Sequence, residues 1–487
     1  MVRLAAAGAQ IGHVVRLQPL RTSVAAAAVA AALTLPLAGP TTAAPGSPGE
    51  PRYSAGAASV GDPYFPDQGN GGFDVQHYDI TFTYDPATKH LNATTTITAV
   101  ATQDLDQFNL DFRGPAISKL AVNGKPMDYQ QGDEEVVVTP RPKLKTGQTF
   151  TTVVAYAGVP PVITDPDDSI EGWVPTDDGA FVAGEPQGSA AWFPGNNHPT
   201  DKATFTLTAT VPEGKTAVGN GQLVSQQTAD GWTTFTWDST EPMATYLATV
   251  TIGDFAVTRS STPSGIPVYV AVDPRLVDRS AAAVARIPDI VDYFSSVFGP
   301  YPFASTGAII DRAPNVGYAL ETQTKPIFSN APSIGTMAHE LAHQWYGDSV
   351  SLERWSDIWL NEGFATYASW LYTEHTGGAT AQQTFNNNSN YGRAASSSFW
   401  QISMIDPGPV DMFSNIPYNR GAMTLHALRG KIGDDAFFTL IKEWATMHRY
   451  GNANTADFIQ LAEKVSGMDL THFFDVWVYQ TGKPTDW

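Results

Sequence analysis

Hydrophobic and polar residues alternate along much of the chain between about residues 73 and 257, which predicts β-strands. Runs of alternating or β-branched residues mark the expected strands, at 79–84, 91–100, 136–138, 150–156, 203–211 and 232–237. Asn123 and Gly124 have the sequence of a tight hairpin turn. Because helical periodicity is nearly absent, we expect an antiparallel, sandwich-like β domain over residues 69–258.

The pattern becomes helical after about residue 261. Apolar residues recur on one face of residues 280–298, which predicts a single helix. A strand is expected at 307–310, and further helices at 333–347, 356–374, 418–430, 434–448 and 454–466. Ser333 suits the N-cap of the helix over 333–347, and Gly347 suits its end. The chain is therefore predicted to be an α+β protein with a second, mostly helical domain over residues 259–487.

The first 68 residues differ in composition from both predicted domains. Arginines precede an alanine-rich apolar run at residues 23–37, and small residues follow it up to Ala44. This layout is typical of a secretory signal peptide over residues 1–44, so we expect the protein to be secreted. A membrane anchor is the competing interpretation, but the run is short and is interrupted by Pro36. Residues 45–68 are rich in Gly, Pro, Ser and Ala and predict a flexible linker.

The composition narrows the possible classes of partner and site. The 48 acidic residues outnumber 28 basic ones, and the resulting net charge of −20 argues against nucleic acid as a partner. The absence of cysteine excludes disulfides, thiolate zinc sites and cysteine nucleophiles. No stretch after the signal peptide approaches about 18 uninterrupted apolar residues, so we expect no stable membrane insertion.

A short motif in the predicted helix at 333–347 suggests the chemistry. His339 and His343 are four residues apart, so both lie on one helix face and can share a metal ion. Glu340 lies between them and can act on a water bound to that metal. The H-E-x-x-H pattern therefore indicates a zinc hydrolase, and two unrelated histidines on a helix are the alternative.

A catalytic zinc usually has three protein ligands and one position open to water. Glu362 is the strongest candidate for the third ligand, because it lies near the start of the next predicted helix. Its neighbours Trp359, Leu360 and Phe364 form an apolar setting that would penalise an unpaired charge. A surface glutamate is the alternative interpretation, and the apolar setting disfavours it.

These motifs resemble those of the M1 zinc aminopeptidases, a family of the gluzincin clan. The resemblance extends over about residues 74–484 and is strongest at 339–348, HELAHQWYGD, and at 359–365, WLNEGFA. Eighteen residues lie between His343 and Glu362, as in the family. The resemblance implies a thermolysin-like catalytic domain, one Zn²⁺ per chain, and hydrolysis of peptides with a free N-terminus. It also implies a short form without the C-terminal helical domain of many members, for which we expect a more open pocket.

The family's G-x-M-E-N motif has its counterpart shortly before the zinc-binding helix, at residues 317–322. Here Leu320 replaces the methionine and Thr322 the asparagine, whereas the glycine and the glutamate are kept. The resemblance implies that Glu321 binds the α-ammonium group of the substrate, and that Gly317 and Ala319 contact its backbone. A carboxylate is the natural partner for a desolvated ammonium group.

A second glutamate is assigned by the same resemblance, in the predicted β domain. Glu185 lies where many members place a glutamate that contacts the substrate amine, although Ala183, Ala190 and Asn197 depart from the family's surrounding pattern. If both glutamates bind the amine, the site lies between the two domains.

The resemblance also assigns an oxyanion-stabilising tyrosine. Tyr418 precedes Asn419-Arg420-Gly421, where the family has a lysine in place of the arginine. Two other functions stay open: a gluzincin endopeptidase, and a secreted binding protein whose zinc is structural. The sequence does not indicate the oligomeric state.

Overall fold

Strands dominate the first half of the chain, as predicted. The computed structural model describes residues 52–487. In chain order the strands are β1 (Ser54–Ala55), β2 (Phe73–Asp85), β3 (His90–Ala101), β4 (Leu105–Asp111), β5 (Ile117–Val122), β6 (Lys125–Pro126), β7 (Asp128–Gln131), β8 (Glu135–Thr139), β9 (Thr149–Gly158), β10 (Val162–Thr164), β11 (Ile170–Pro175), β12 (Ala180–Ala183), β13 (Lys202–Pro212), β14 (Thr216–Gly219), β15 (Gln222–Ala229), β16 (Trp232–Ala244) and β17 (Val250–Gly253). Short 3-10 turns occur at Gly188–Ala191 and Thr245–Leu247.

These strands form layered sheets. Their orders are β15-β16-β13-β2-β3-β9-β5-β6, β10-β11-β12-β17-β14 and β1-β4-β8-β7. Most neighbours are antiparallel, whereas β13 pairs with β2 and β1 with β4 in parallel. Asn123 (φ 49°) and Gly124 (φ 74°) form the expected hairpin turn between β5 and β6. The prediction of a largely antiparallel β domain is confirmed.

Aromatic side chains join the two larger sheets. Trp173 of β11 packs edge-on against Phe82 and Tyr84 of β2, with ring centroids 5.7 and 4.9 Å apart. All three side chains are buried. Such rings bury large apolar areas, so the contact holds the sheets face to face.

The second half of the chain is mostly helical. Its strands are β18 (Ala256–Ser261), β19 (Pro267–Val272), β20 (Thr306–Ile310), β21 (Ala319–Leu320), β22 (Ile327–Phe328), β23 (Ser351–Leu352) and β24 (Asn452–Ala453). Its helices are α1 (Val277–Val284), α2 (Ile287–Phe298), α3 (Ile334–Ala342), α4 (Trp359–His375), α5 (Ala381–Phe385), α6 (Gly421–Ile432), α7 (Asp434–Met447), α8 (Thr455–Ser466) and α9 (Thr471–Phe474). Single 3-10 turns occur at Trp355–Asp357 and Ser398–Gln401, and π-helical turns at Ile416–Arg420 and Asp475–Tyr479. The predicted α+β class is confirmed.

A small sheet begins the second half, in the order β18-β19-β20-β22-β21. Strand β18 pairs with β19 over Ala256–Ser261. The predicted domain boundary between residues 258 and 259 therefore falls inside strand β18 of this sheet. Strand β21 lies at the opposite edge, next to helix α3.

Two helix predictions need correction. Residues 280–298 form α1 and α2 with a break at 285–286, because Pro288 has no N–H to bond the carbonyl of Val284. Helix α3 begins after the N-cap Ser333 as expected but ends at Ala342. Beyond it the N–H groups of residues 348–350 bond carbonyls five residues back, which widens the turn, and Gly347 (φ 131°) completes it.

The predicted linker at 45–68 is wrong for the residues that the structure describes. Tyr64 and Phe65 are buried, and the Tyr64 hydroxyl donates to Asp406 at 2.6 Å. The Asp62 carboxylate accepts from the Trp355 N–H at 3.0 Å. The Gly- and Ser-rich composition misled the prediction, because two aromatic residues are enough to dock this segment.

The predicted signal peptide and the start of the linker lie outside the described residues. Between residues 52 and 487, no helix combines the length and the apolar character needed to cross a membrane.

Candidate active site

The three predicted metal ligands converge on one point. The Nε2 atom of His339 lies 3.0 Å from Glu362 Oε2 and 3.1 Å from His343 Nε2. His343 Nε2 lies 3.5 Å from the same carboxylate oxygen. His339 is on α3, His343 caps that helix, and Glu362 is on the first turn of α4. The turn between the helices brings the third ligand beside the first two, as predicted.

These three atoms fit a zinc ion. A tetrahedral zinc with ligand bonds of about 2.0–2.1 Å separates its ligand atoms by about 3.4 Å, close to the distances found here. Imidazole nitrogens with one carboxylate oxygen form a ligand set of catalytic zinc sites. His343 Nδ1 lies 3.0 Å from the Tyr346 carbonyl, so it carries the proton, and the Nε2 lone pair faces the site.

The charges of these groups depend on one another. Burial raises the pKa of Glu362, but the combined effect of His343 and His339 is stronger and lowers it to about 2. Burial lowers the pKa of His339. The pKa of His343 rises well above its usual value, because the carboxylates of Glu321 and Glu362 outweigh its burial. The site therefore favours a positive charge beside Glu362.

Glu340 lies beside the three metal ligands but is not one of them. Its side chain is 6% exposed, and burial raises its pKa well above the usual value. One of its oxygens lies within 4.8 Å of both a Glu321 oxygen and a His343 nitrogen. It is thus a carboxyl group that can hold a proton next to the metal position.

Two further carboxylates form a pocket with Glu362. Oxygens of Glu185, Glu321 and Glu362 all lie within 4.8 Å of one another. Among residues 52–487, no hydrogen-bond partner is found for Oε1 of Glu185 or Oε1 of Glu321. Burial raises the pKa of both groups. Buried carboxylates without partners create a strong demand for a cation or for protons.

A cavity of about 400 Å³ joins these groups to solvent. Ala319, on edge strand β21, lines it, and an edge strand offers free backbone groups to an added peptide strand. Gly317 is exposed and lies outside the cavity lining. The structure therefore brings Ala319, but not Gly317, to the site.

Tyr418 also lines the cavity, on the π-helical turn before α6. Its ring stacks on that of His339, with centroids 5.7 Å apart and planes 13° apart. Burial and the carboxylate of Glu362 raise its pKa well above the usual value. The hydroxyl therefore stays protonated and can donate a hydrogen bond.

Several residues of the cavity were missed by the sequence analysis. They have hydroxyl or amide side chains, or none: Tyr318, Gly335, Thr336, Thr366, Ser369, Asn415 and Asn419. Helical spacing could have found four of them. Gly335 and Thr336 precede His339 and Glu340 by one turn each, and Thr366 and Ser369 follow Glu362 by one and two turns. No pattern in the sequence marks the others.

Comparison with known proteins agrees with this geometry. The model of the Peptidase family M1 domain matches residues 316–477, and that of the Peptidase M1 N-terminal domain matches residues 74–247. The M1 zinc metallopeptidase of Deinococcus radiodurans is 30% identical, with a TM-score of 0.79 over 86% of this chain and 97% of that one. A mutant of it bound to a Tyr-Ser-Ala substrate is 29% identical, with a TM-score of 0.80 over 88% and 98%.

Curated relatives are longer. Glutamyl aminopeptidase of Sus scrofa is 28% identical over an alignment of 333 positions that covers 62% of this chain and 34% of the relative. Probable aminopeptidase 1 of Sulfurisphaera tokodaii is 24% identical over an alignment of 419 positions that covers 78% of this chain and 50% of the relative. The chain thus spans about a third to a half of these relatives. The matched domains, the shared fold and the converging ligands together show that the chain belongs to peptidase family M1.

Proposed function

We propose that this chain is a zinc aminopeptidase, which hydrolyses the first peptide bond of peptides with a free N-terminus. The pocket of Glu185 and Glu321 beside Glu362 is the observation that supports this most strongly. It offers two carboxylates for an ammonium group within one residue's length of the metal ligands. An endopeptidase or a structural zinc site has no use for such a pocket.

The ligands His339, His343 and Glu362 would hold one Zn²⁺ per chain. When bound, the ion supplies Lewis acidity that polarises the scissile carbonyl and lowers the pKa of water. Glu340 takes a proton from the attacking water and passes it to the leaving amine. Its raised pKa suits the first step, because a carboxylate with a higher pKa is a stronger base.

The remaining residues orient the peptide. Glu321 and Glu185 bind the ammonium group, and the edge of β21 at Ala319 aligns the backbone. The Tyr418 hydroxyl donates to the oxygen on which negative charge develops, and one such donor contributes roughly 3 kcal/mol. A relative supports this arrangement, since the Deinococcus radiodurans mutant is described with a Tyr-Ser-Ala substrate.

The decisive experiment compares free and N-acetylated substrates. Wild-type protein should cleave an amino-acid p-nitroanilide and short free peptides, and should cleave their N-acetylated forms far more slowly. Equal rates on both would identify an endopeptidase instead. Glu340→Gln should keep its zinc, measured by metal analysis, and lose turnover. An active, zinc-loaded Glu340→Gln variant would rule out the proposed general base, and an inactive wild type with bound zinc would favour a structural zinc.

We also propose that residues 1–44 direct export, on the strength of the arginines and the alanine-rich run that follows them. N-terminal sequencing of the protein from the extracellular fraction of its native host should give a mature chain that starts near residue 45. An intracellular chain that keeps its first residues would contradict export.

A further inference from the structure

Gln344 follows the metal ligand His343 and contacts the segment that carries Glu321. Its side chain is fully buried. Its Nε2 donates to the Glu321 carbonyl at 3.1 Å, and its Oε1 accepts from the Thr324 N–H at 2.7 Å. One carboxamide therefore bridges both ends of the turn at residues 321–324.

That turn has a backbone conformation that needs support. Thr324 has a φ of 69°, in the left-handed region, which a β-branched residue rarely adopts. Such residues persist only where their surroundings fix them, and they concentrate at functional sites. The contact with Gln344 supplies the partner of the Thr324 N–H, so it is part of what fixes this conformation.

The β domain holds the same turn from the opposite side. Asn220 Nδ2 donates to the Gln323 carbonyl at 2.9 Å, and the Gly221 N–H donates to the Thr324 hydroxyl at 2.7 Å. These two contacts attach the turn to the β domain, but neither fixes the position of the turn relative to the metal ligands. Gln344 alone among these three residues adjoins a ligand in the chain.

We propose that Gln344 is a positioning residue, which fixes the Glu321 carboxylate at a set distance from the metal ligands. The inference rests on the proposed function. An amine pocket selects the first peptide bond only if its carboxylate is held at a constant distance from the reacting centre. One peptide bond and one side-chain hydrogen bond connect His343 to the Glu321 carbonyl through Gln344.

Gln344→Met tests this, because methionine has a similar volume and removes the hydrogen bonds to Glu321 and Thr324, together with a long one from the Tyr301 hydroxyl at 3.5 Å. KM for a free-amine substrate should rise about 10-fold or more, since the Glu321 carbonyl and the Thr324 N–H lose their buried partner and the turn shifts. kcat should change much less, zinc content should stay at one per chain, and the slow rate on N-acetylated substrate should not change. Gln344→Glu keeps the acceptor and loses the donor, so it should raise KM in the same direction if Gln344→Met does not fold.

A double-mutant cycle distinguishes positioning from a merely structural role. In a Glu321→Gln background, Gln344→Met should have almost no further effect on KM, because both changes act on the same carboxylate. Effects that multiply would overturn the proposal. So would a Gln344→Met or Gln344→Glu protein that keeps the wild-type KM.

Asn452→Leu is a matched control. The Asn452 side chain, like that of Gln344, bonds two backbone groups: it donates to the carbonyls of Pro199 and Leu352 at 2.8 Å each, and so links the two halves of the chain. It does not contact the 321–324 turn, so its loss should lower stability without changing the ratio of KM values for free and acetylated substrates. If wild type fails to prefer free amines, the proposed function is wrong; if it does prefer them and Gln344 variants keep that preference, only the positioning role is wrong.

Discussion

A contact between two glycines sets the distance between Glu362 and Tyr418. Gly363 follows the metal ligand on α4, and Gly421 begins α6 just after the turn that carries Tyr418. A Cβ placed on Gly421 would lie 2.7 Å from the Gly363 Cα, and one on Gly363 would lie 2.8 Å from the Gly421 Cα. Since real Cβ atoms do not approach other atoms so closely, Gly421→Ala must push the two helices apart.

The energetic effect has two opposing parts. Overpacking of a buried contact costs about 1–3 kcal/mol, whereas alanine in place of glycine in a helix gains up to about 1 kcal/mol. Gly430 lies on the same helix with open space around it. Gly430→Ala therefore has only the gain in helix propensity, without overpacking. The unfolding free energies of Gly421→Ala and Gly430→Ala should differ by about the cost of overpacking.

The separation of α4 and α6 in Gly421→Ala should also lower activity. A shift of a few tenths of an ångström between α4 and α6 moves Tyr418 relative to Glu362, and small misplacements of reacting groups lower rates by about 10-fold or more. We expect kcat on an amino-acid p-nitroanilide to fall in Gly421→Ala at unchanged zinc content. Gly430→Ala should keep wild-type kcat.

The assay pairs steady-state kinetics with thermal unfolding of the zinc-loaded proteins. A Gly421→Ala protein as active and as stable as Gly430→Ala would refute the reasoning, because the helices would then tolerate the extra carbon. A protein that lost stability but kept kcat would show that the contact matters for packing and not for the position of Tyr418.

Two other predictions concern single buried groups. Tyr418→Phe keeps the ring stacked on His339 and removes the hydroxyl, so kcat should fall by about 10²–10³ with little change in KM; a loss of less than twofold would exclude an oxyanion role. Burial raises the pKa of Asp311 to about 7, so the folded state binds this proton more tightly than the unfolded state, whose pKa is about 3.9. Stability is therefore lost as pH rises from about 4 to 7, and Asp311→Asn should reduce that loss, by up to a few kcal/mol, in denaturant titrations at pH 4 and pH 8. Equal pH dependence in the two proteins would contradict the raised pKa.

The metal ligands could be predicted because their geometry is local. Two histidines one helical turn apart share a face whatever the rest of the fold, and Glu362 followed from an apolar neighbourhood that penalises an unpaired charge. The amine pocket and Tyr418 were accessible only through the resemblance to a family. Glu185 lies more than 130 residues before Glu321 in the chain, and no local rule brings the two together.

Two of the wrong predictions, a single helix at 280–298 and a linker at 45–68, also have physical causes. Pro288 was visible in the sequence and breaks the helix by a local rule, so that error was avoidable. The docking of Tyr64 and Phe65 was not predictable from composition, because it depends on Trp355 and Asp406, some 300 residues away. The roles of Gln344 and of the two glycines also depend on which segments meet, and a single sequence does not contain that information.

The proposed amine pocket requires both halves of the chain. Glu185 comes from the β domain and Glu321 from the sheet of the catalytic half, so neither half has the pocket alone. The same interface holds the turn after Glu321 through Asn220 and Gly221, and Lys202 Nζ bonds three carbonyls of the catalytic half at 2.9–3.1 Å. The β domain therefore does more than cover the zinc site. It contributes one of the two carboxylates and helps to fix the other, so the distance between the proposed amine pocket and the metal ligands depends on this interface.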